Sequence, residues 1–183
     1  IADAGMSNAA GTISFWTKLA EPQHRADGRN GTAYFFSEQN GSTQNSRLNL
    51  KMSNSDTKLD AEIGSVAAND IAVLSTAVWY QIAVTWDSGS YNIYLNGNLI
   101  ASGTATMAAF GSSAAIGNRP SYINSFDGLI DDFRIYNRAL DAGNIADTYA
   151  GKSPGEIYIC AGLPEGDLNS DCKVDFADLV LIT

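Results

Sequence analysis

Histidine is almost absent from this chain. His24 is the single one among 183 residues, and its neighbours form a polar loop segment. Neither a Ser-His-Asp triad nor a His-cluster metal site can be assembled around it. Basic residues are also few, 11 Lys and Arg against 20 Asp and Glu, which leaves a net charge of −9. Nucleic-acid phosphates are held by Lys and Arg, so this balance argues against a nucleic-acid partner. It favours solubility and cation binding. The uncharged stretch 88–118 is long enough to cross a bilayer, but Gly, Ser and Asn interrupt it throughout, so no membrane insertion is expected. Cysteine is confined to Cys160 and Cys172, both beyond residue 150. A cysteine pair in a small appendage points to an oxidising compartment. The chain opens on Ile1 and carries no signal-peptide pattern, so a processed, secreted form is expected.

What the chain has in quantity is turn chemistry: 17 Gly, with many Ser, Asn and Thr. These punctuate short apolar runs, which is the pattern of an all-β fold. The strongest run is 78–86. Tyr80, Ile82, Val84 and Trp86 share one parity, and Ala83 and Thr85, on the other, are small. A period of two in β-branched and aromatic residues predicts a strand with one heavily buried face. The turn residues Asp87-Ser88-Gly89-Ser90 follow, then a second strand over 91–95. Asn96-Gly97 predicts a two-residue hairpin, because a type I′ turn needs positive φ at both central residues. A third strand over 98–102 completes an antiparallel meander. Further strands are expected at 12–17, 32–37, 46–52, 57–63 and 113–117, while 65–75 is weakly specified. Asp141 is placed to cap a helix over 142–150. The expected architecture is an antiparallel β-sandwich over residues 1–150, a linker over 151–156 and a separate unit over 157–183. The first 150 residues carry 9 basic and 14 acidic side chains, the remainder 2 and 6, so the tail is more acidic per residue.

Val84-Thr85-Trp86-Asp87, then Tyr94-Leu95-Asn96-Gly97, then the run 127–140 (Asp127-Gly128-Leu129-Ile130-Asp131-Asp132-Phe133-Arg134-Ile135-Tyr136 and onward) are similar to the laminin-G-like, concanavalin-A-like jelly rolls, in particular bacterial members. The resemblance spans about residues 11–150 and implies a jelly-roll sandwich. The family's opening strand has no match in residues 1–10. A sandwich lacking that strand would leave an unpaired edge able to accept a strand from another chain.

The tail carries a calcium-loop spacing. Asp167, Asn169, Asp171, Asp175 and Asp178 occupy positions 1, 3, 5, 9 and 12 of an EF-hand-type loop, with Lys173 supplying its carbonyl at position 7. The ending in Asp followed by Leu-Val-Leu-Ile resembles one repeat of a type I dockerin. That resemblance implies calcium and docking to a cohesin-like module. Cys172 stands where the loop expects Gly, and a Cys160–Cys172 disulfide would account for it. The alternative is a plain acidic terminus.

Within the sandwich, Asp131 shares parity with Leu129, Phe133 and Ile135 and is expected to face the core, where a carboxylate needs a metal or hydrogen bonds. The resemblance implies a structural calcium near the chain ends, and Asp131 and Asp132, with Asp127 nearby, are the candidates for it. A strand-end carboxylate bonded to backbone N–H groups is the equal alternative. Trp16, Trp79, Tyr94, Tyr122 and Tyr136 are candidates for stacking on sugar rings. Tyr122 is favoured because it lies in a polar loop beside Asn118 and Arg119. Asp60 and Glu62 point to one side of a strand, as a solvated face or as a glycosidase carboxylate pair. These readings add up to a secreted, non-catalytic module that binds a polysaccharide or cell-surface glycan, or adheres to a surface. A structural subunit that self-assembles by strand exchange is one alternative, and a glycoside hydrolase on the same fold the other.

Overall fold

The computed structural model describes residues 6–20, 32–39, 47–52, 57–111, 114–119 and 125–152. The chain divides into two compact units, Ile1–Lys152 and Ser153–Thr183. The second unit, with the residues of the expected calcium loop and both cysteines, lies outside the described residues.

The first unit is two five-stranded antiparallel sheets and one short helix. One sheet, called here the helix-bearing sheet, contains β1 (Ala10–Leu19), β6 (Trp79–Asp87), β7 (Ser90–Leu95), β8 (Asn98–Thr104) and β10 (Gly128–Tyr136), in the order β10-β1-β6-β7-β8. The other, called the polar sheet, contains β2 (Ala33–Gln39), β3 (Arg47–Met52), β4 (Lys58–Ile63), β5 (Val66–Val73) and β9 (Ala114–Ile116), in the order β5-β4-β3-β2-β9. The inner faces meet in one core that includes Ile13, Phe15, Phe36, Leu48, Leu50, Ile82, Val84 and Trp86. The alternation of the 78–86 run appears as drawn from sequence: Ile82, Val84 and Trp86 enter the core, while Ala83 is on the outer face.

The small size of Ala83 leaves room for the helix α1 (Ala142–Tyr149). Asp141 caps it, accepting from the N–H of Asn144 at 2.8 Å. Ile145 and Leu140 pack with Ala83 and Tyr94 in a second apolar cluster on the outside of the helix-bearing sheet. Thr12 ties this layer down, donating to the Arg138 carbonyl and accepting from the N–H of Leu140, both at 2.9 Å.

The poorly specified stretch 65–75 is the regular strand β5. Its alternation is obscured in sequence by a bulge near Asp70, which has φ of 55°. The expectation of an open edge at the start of the chain is not met beside β1, which pairs with β6 on one side and β10 on the other. Residues 6–9 close one end of the sandwich instead. The Ser7 carbonyl accepts from Trp86 Nε1 at 2.8 Å, Asn8 donates to the Met107 carbonyl at 3.0 Å, and Met6 packs on the core. No helix among the described residues is long and apolar enough to cross a membrane.

Candidate functional site

Two outer faces carry chemistry. The first is the outside of the polar sheet. Strand register sets its rows: Ser37 lies opposite Asn49 and Asn49 opposite Glu62; Tyr34 lies opposite Lys51 and Lys51 opposite Asp60. Parity adds Arg47 beside Asn49. Glu62 is the hub. Its Oε2 accepts from Asn49 Nδ2 at 2.6 Å and its Oε1 pairs with Lys51 Nζ at 2.5 Å. Asp60 accepts from the N–H of Asp70 at 2.7 Å. Burial pushes the Glu62 carboxyl up, but the hydrogen bonds from Lys51 and Asn49 and the charges of Lys51 and Arg47 outweigh it and hold the group below its ordinary range. Asn49 and Ser37 are fully buried and Asp60 nearly so. Asp60 and Glu62 thus share a face, as sequence parity requires, but on it Asp60 is buried and the Glu62 side chain keeps only 20% exposure. Two buried atoms in this network, Asn49 Oδ1 and Arg47 Nε, have no hydrogen-bond partner. Buried polar atoms are seldom left unpaired, so unspent capacity of this kind marks a place for water or a ligand.

Of the residues singled out in sequence as ligand contacts, Asn118 and Arg119 follow β9, which pairs with β2 at the edge of this same sheet. Asn118 accepts from the N–H of Arg119 at 2.7 Å. Tyr122 lies outside the described residues. Arg47, Asn49 and Lys51 were not found from sequence. Their signal is the polar half of an alternating strand, and only the register shows that it meets Glu62.

The second face is the outside of the helix-bearing sheet, and here β10 departs from expectation. Ser14 pairs with Arg134 but Trp16 with Asp131, so β10 carries one extra residue opposite Phe15. Asp132, with φ of 49°, is that bulge. A bulge reverses the parity of everything before it. Phe133 and Ile135 pack on the core, whereas Asp131 and Leu129 turn outward and are exposed. The expectation that Asp131 faces the core with Phe133 and Ile135 is therefore corrected. Asp132 is clamped by Arg134, Nε to Oδ1 at 2.8 Å and Nη2 to Oδ2 at 2.7 Å. Calcium takes six to eight oxygen ligands. Carbonyls and waters supply part of that number, and among the described residues no three His, Cys, Asp or Glu gather as a metal-binding group.

Asp131, Asp132, Trp16 and Trp79 line an open depression of about 430 Å³ on this face. Of the other aromatic candidates, Tyr94 is buried in the cluster under α1, and Tyr136 packs against that cluster.

A two-sheet antiparallel sandwich with one helix on an outer face is the architecture of the lectin-like jelly rolls. The chain belongs to the concanavalin A-like lectin/glucanases superfamily, a laminin-G family model of which matches residues 1–146. No curated protein matches it. Among solved structures it is similar to domain 4 of AbnA, a GH43 extracellular arabinanase from Geobacillus stearothermophilus, solved with arabinotriose (24% identity, 78% of this chain and 66% of that one, TM-score 0.60). It is also similar to a heptameric SAP-like pentraxin from Limulus polyphemus (16%, 81% and 73%, 0.56) and to Trypanosoma rangeli sialidase (16%, 78% and 22%, 0.63). At these identities the likeness is one of fold, and the chain spans 22% of the sialidase.

Proposed function

We propose that this chain is a secreted, non-catalytic carbohydrate-binding or adhesion module that takes its glycan on the outer face of the polar sheet. The observation that carries this reading is the Arg47–Asn49–Lys51–Glu62 network with its two unpaired buried atoms. A sugar hydroxyl is both donor and acceptor. Those are the two roles that Asn49 Oδ1 and Arg47 Nε call for, and a hydrocarbon offers neither. Lys51 and Glu62, at 12% and 20% side-chain exposure, form the part of the network a ligand meets first. Convergent polar groups of this kind orient ligands in binding sites. A relative of this fold solved with a trisaccharide supports the ligand class. The test is a glycan array followed by isothermal titration of the best hit. Asn49→Ala and Glu62→Gln should each weaken binding about tenfold, the loss of one or two hydrogen bonds, with unchanged circular dichroism. Binding to no polysaccharide would sink the carbohydrate reading.

The tail belongs to the same proposal. Its loop residues Asp167, Asn169, Asp171, Lys173, Asp175 and Asp178 would bind calcium and present a docking surface to a cohesin-like module. Calcium titration of the full chain should show uptake that Asp167→Ala and Asp178→Ala abolish. Unchanged uptake in both would refute the assignment.

A further inference from the structure

The depression on the helix-bearing sheet is used by nothing above. Its construction follows from register and parity. Asp131, Trp16 and Gln81 form one row across β10, β1 and β6, and Leu129, Lys18 and Trp79 the next. The first row is braced by α1: Trp16 stacks on Tyr149 with ring centroids 5.6 Å apart, and Gln81 Nε2 donates to Thr148 Oγ1 at 2.8 Å. The second row is more open. Trp79 is 38% exposed and Leu129 52%. Both indoles are therefore held from one side, Trp16 by Tyr149 and Trp79 by Lys18, whose Nζ lies 5.4 Å from the ring centroid. Both also line the open depression with Asp131 and Asp132.

Charge decides what such a shelf takes. Two carboxylates beside two indoles suit a cation at first sight. But Trp79 already has Lys18 as its cation, and Asp132 already has Arg134. Lys18 and Arg134 balance Asp131 and Asp132, so a second cation gains little and meets Lys18. A neutral ligand with an apolar face for the indoles and hydroxyls for Asp131 fits, and a pyranose ring is both. We propose that the Trp16–Trp79–Asp131 shelf is a second saccharide-binding site, for a neutral glycan that lays a ring face on Trp79 and donates hydroxyls to Asp131. It lies on the opposite outer face of the sandwich from the polar network, so one module would hold two glycan segments.

The test uses the full chain and tryptophan fluorescence. Two of the three tryptophans line the shelf, and Trp86 is buried in the core. Cellotriose, mannotriose and arabinotriose are titrated separately, with tetramethylammonium as the cation probe. At least one trisaccharide should change the emission saturably and protect it from acrylamide quenching. Trp79→Ala should abolish the effect, and Asp131→Asn should weaken it about tenfold. Asn49→Ala should leave it unchanged, which separates this site from the polar network. Asp131→Asn keeps the acceptor now used by the N–H of Asp132, so it tests the site without disturbing the bulge. No response to any trisaccharide, a response to tetramethylammonium alone, or a response surviving Trp79→Ala would overturn the proposal.

Discussion

Glu38 accepts a hydrogen bond from the N–H of Gly111 with Oε1, while its Oε2 is buried without a partner. The residue pairs with Leu48 and Ala114 and is 1% exposed, a carboxyl set at the edge of an apolar core. Burial pushes its pKa up to about 7, partly offset by the Gly111 bond. The native state therefore keeps a proton that the unfolded chain releases near 4.5. Raising the pH from about 5 to 7 must cost stability through this group, and above about 7 the cost is constant. Glu38→Gln should remove that slope and leave the protein more stable at pH 8 by about 1–2 kcal/mol. Urea denaturation at pH 5 and pH 8 measures both. A wild type whose stability rises from pH 5 to 8 as steeply as that of the variant contradicts the assignment.

A methyl group placed on Gly11 would lie 2.2 Å from the indole of Trp86. That ring is fixed from three sides, by the core, by its bond to the Ser7 carbonyl and by Phe110 edge-on at 5.8 Å. It has nowhere to go, so Gly11→Ala should cost about 1–3 kcal/mol by overpacking. The same change in a Trp86→Phe background should cost much less, because the smaller ring vacates the space. Equal costs in both backgrounds, read from thermal melts, would show that the contact is not the cause.

The backbone of this domain was largely legible because its signals are local. Asn96 and Gly97 have φ of 50° and 76°, as the hairpin turn needs, and Asp141 caps the helix from its own side chain. The site was not legible, because it depends on register. Asn49 and Glu62 are 13 residues apart and meet only once β3 and β4 are aligned. The parity of Asp131 was misread for the same kind of reason. A single bulge residue inverts half a strand, and nothing in the run from Gly128 to Tyr136 announces it, since Asp adopts positive φ without the glycine that usually flags it.

That bulge can be tested. Asp132 sits at φ of 49°, a conformation that costs a β-branched residue most. Asp132→Gly should be nearly neutral, losing an exposed ion pair worth about 0–1 kcal/mol while relieving the backbone. Asp132→Val should cost roughly 1–2 kcal/mol more than the glycine variant. Valine no worse than glycine would mean that the strand realigns without the bulge.

The Lys51–Glu62 pair separates a binding network from a merely stabilising one. Glu62 is held below its ordinary pKa mainly through Lys51 and Asn49, so it favours the native state above the usual carboxylate range. That contribution fades as the pH falls through the lowered value. Lys51→Met removes the charge and keeps the stem, leaving Glu62 with the Asn49 hydrogen bond and the charge of Arg47. Stability at pH 7 should drop by about 1–3 kcal/mol, the cost of an ill-satisfied buried charge. Glu62→Gln on top of Lys51→Met should recover part of it, since the neutral amide no longer needs the ammonium. If the polar sheet serves only its own stability, this double variant should bind glycan as the wild type does. If it recognises sugar, the double variant should be folded, keep the tryptophan response of the Trp16–Trp79–Asp131 shelf, and lose the titrated binding that belongs to the polar sheet. Chemical denaturation and isothermal titration on the same sample decide between the two.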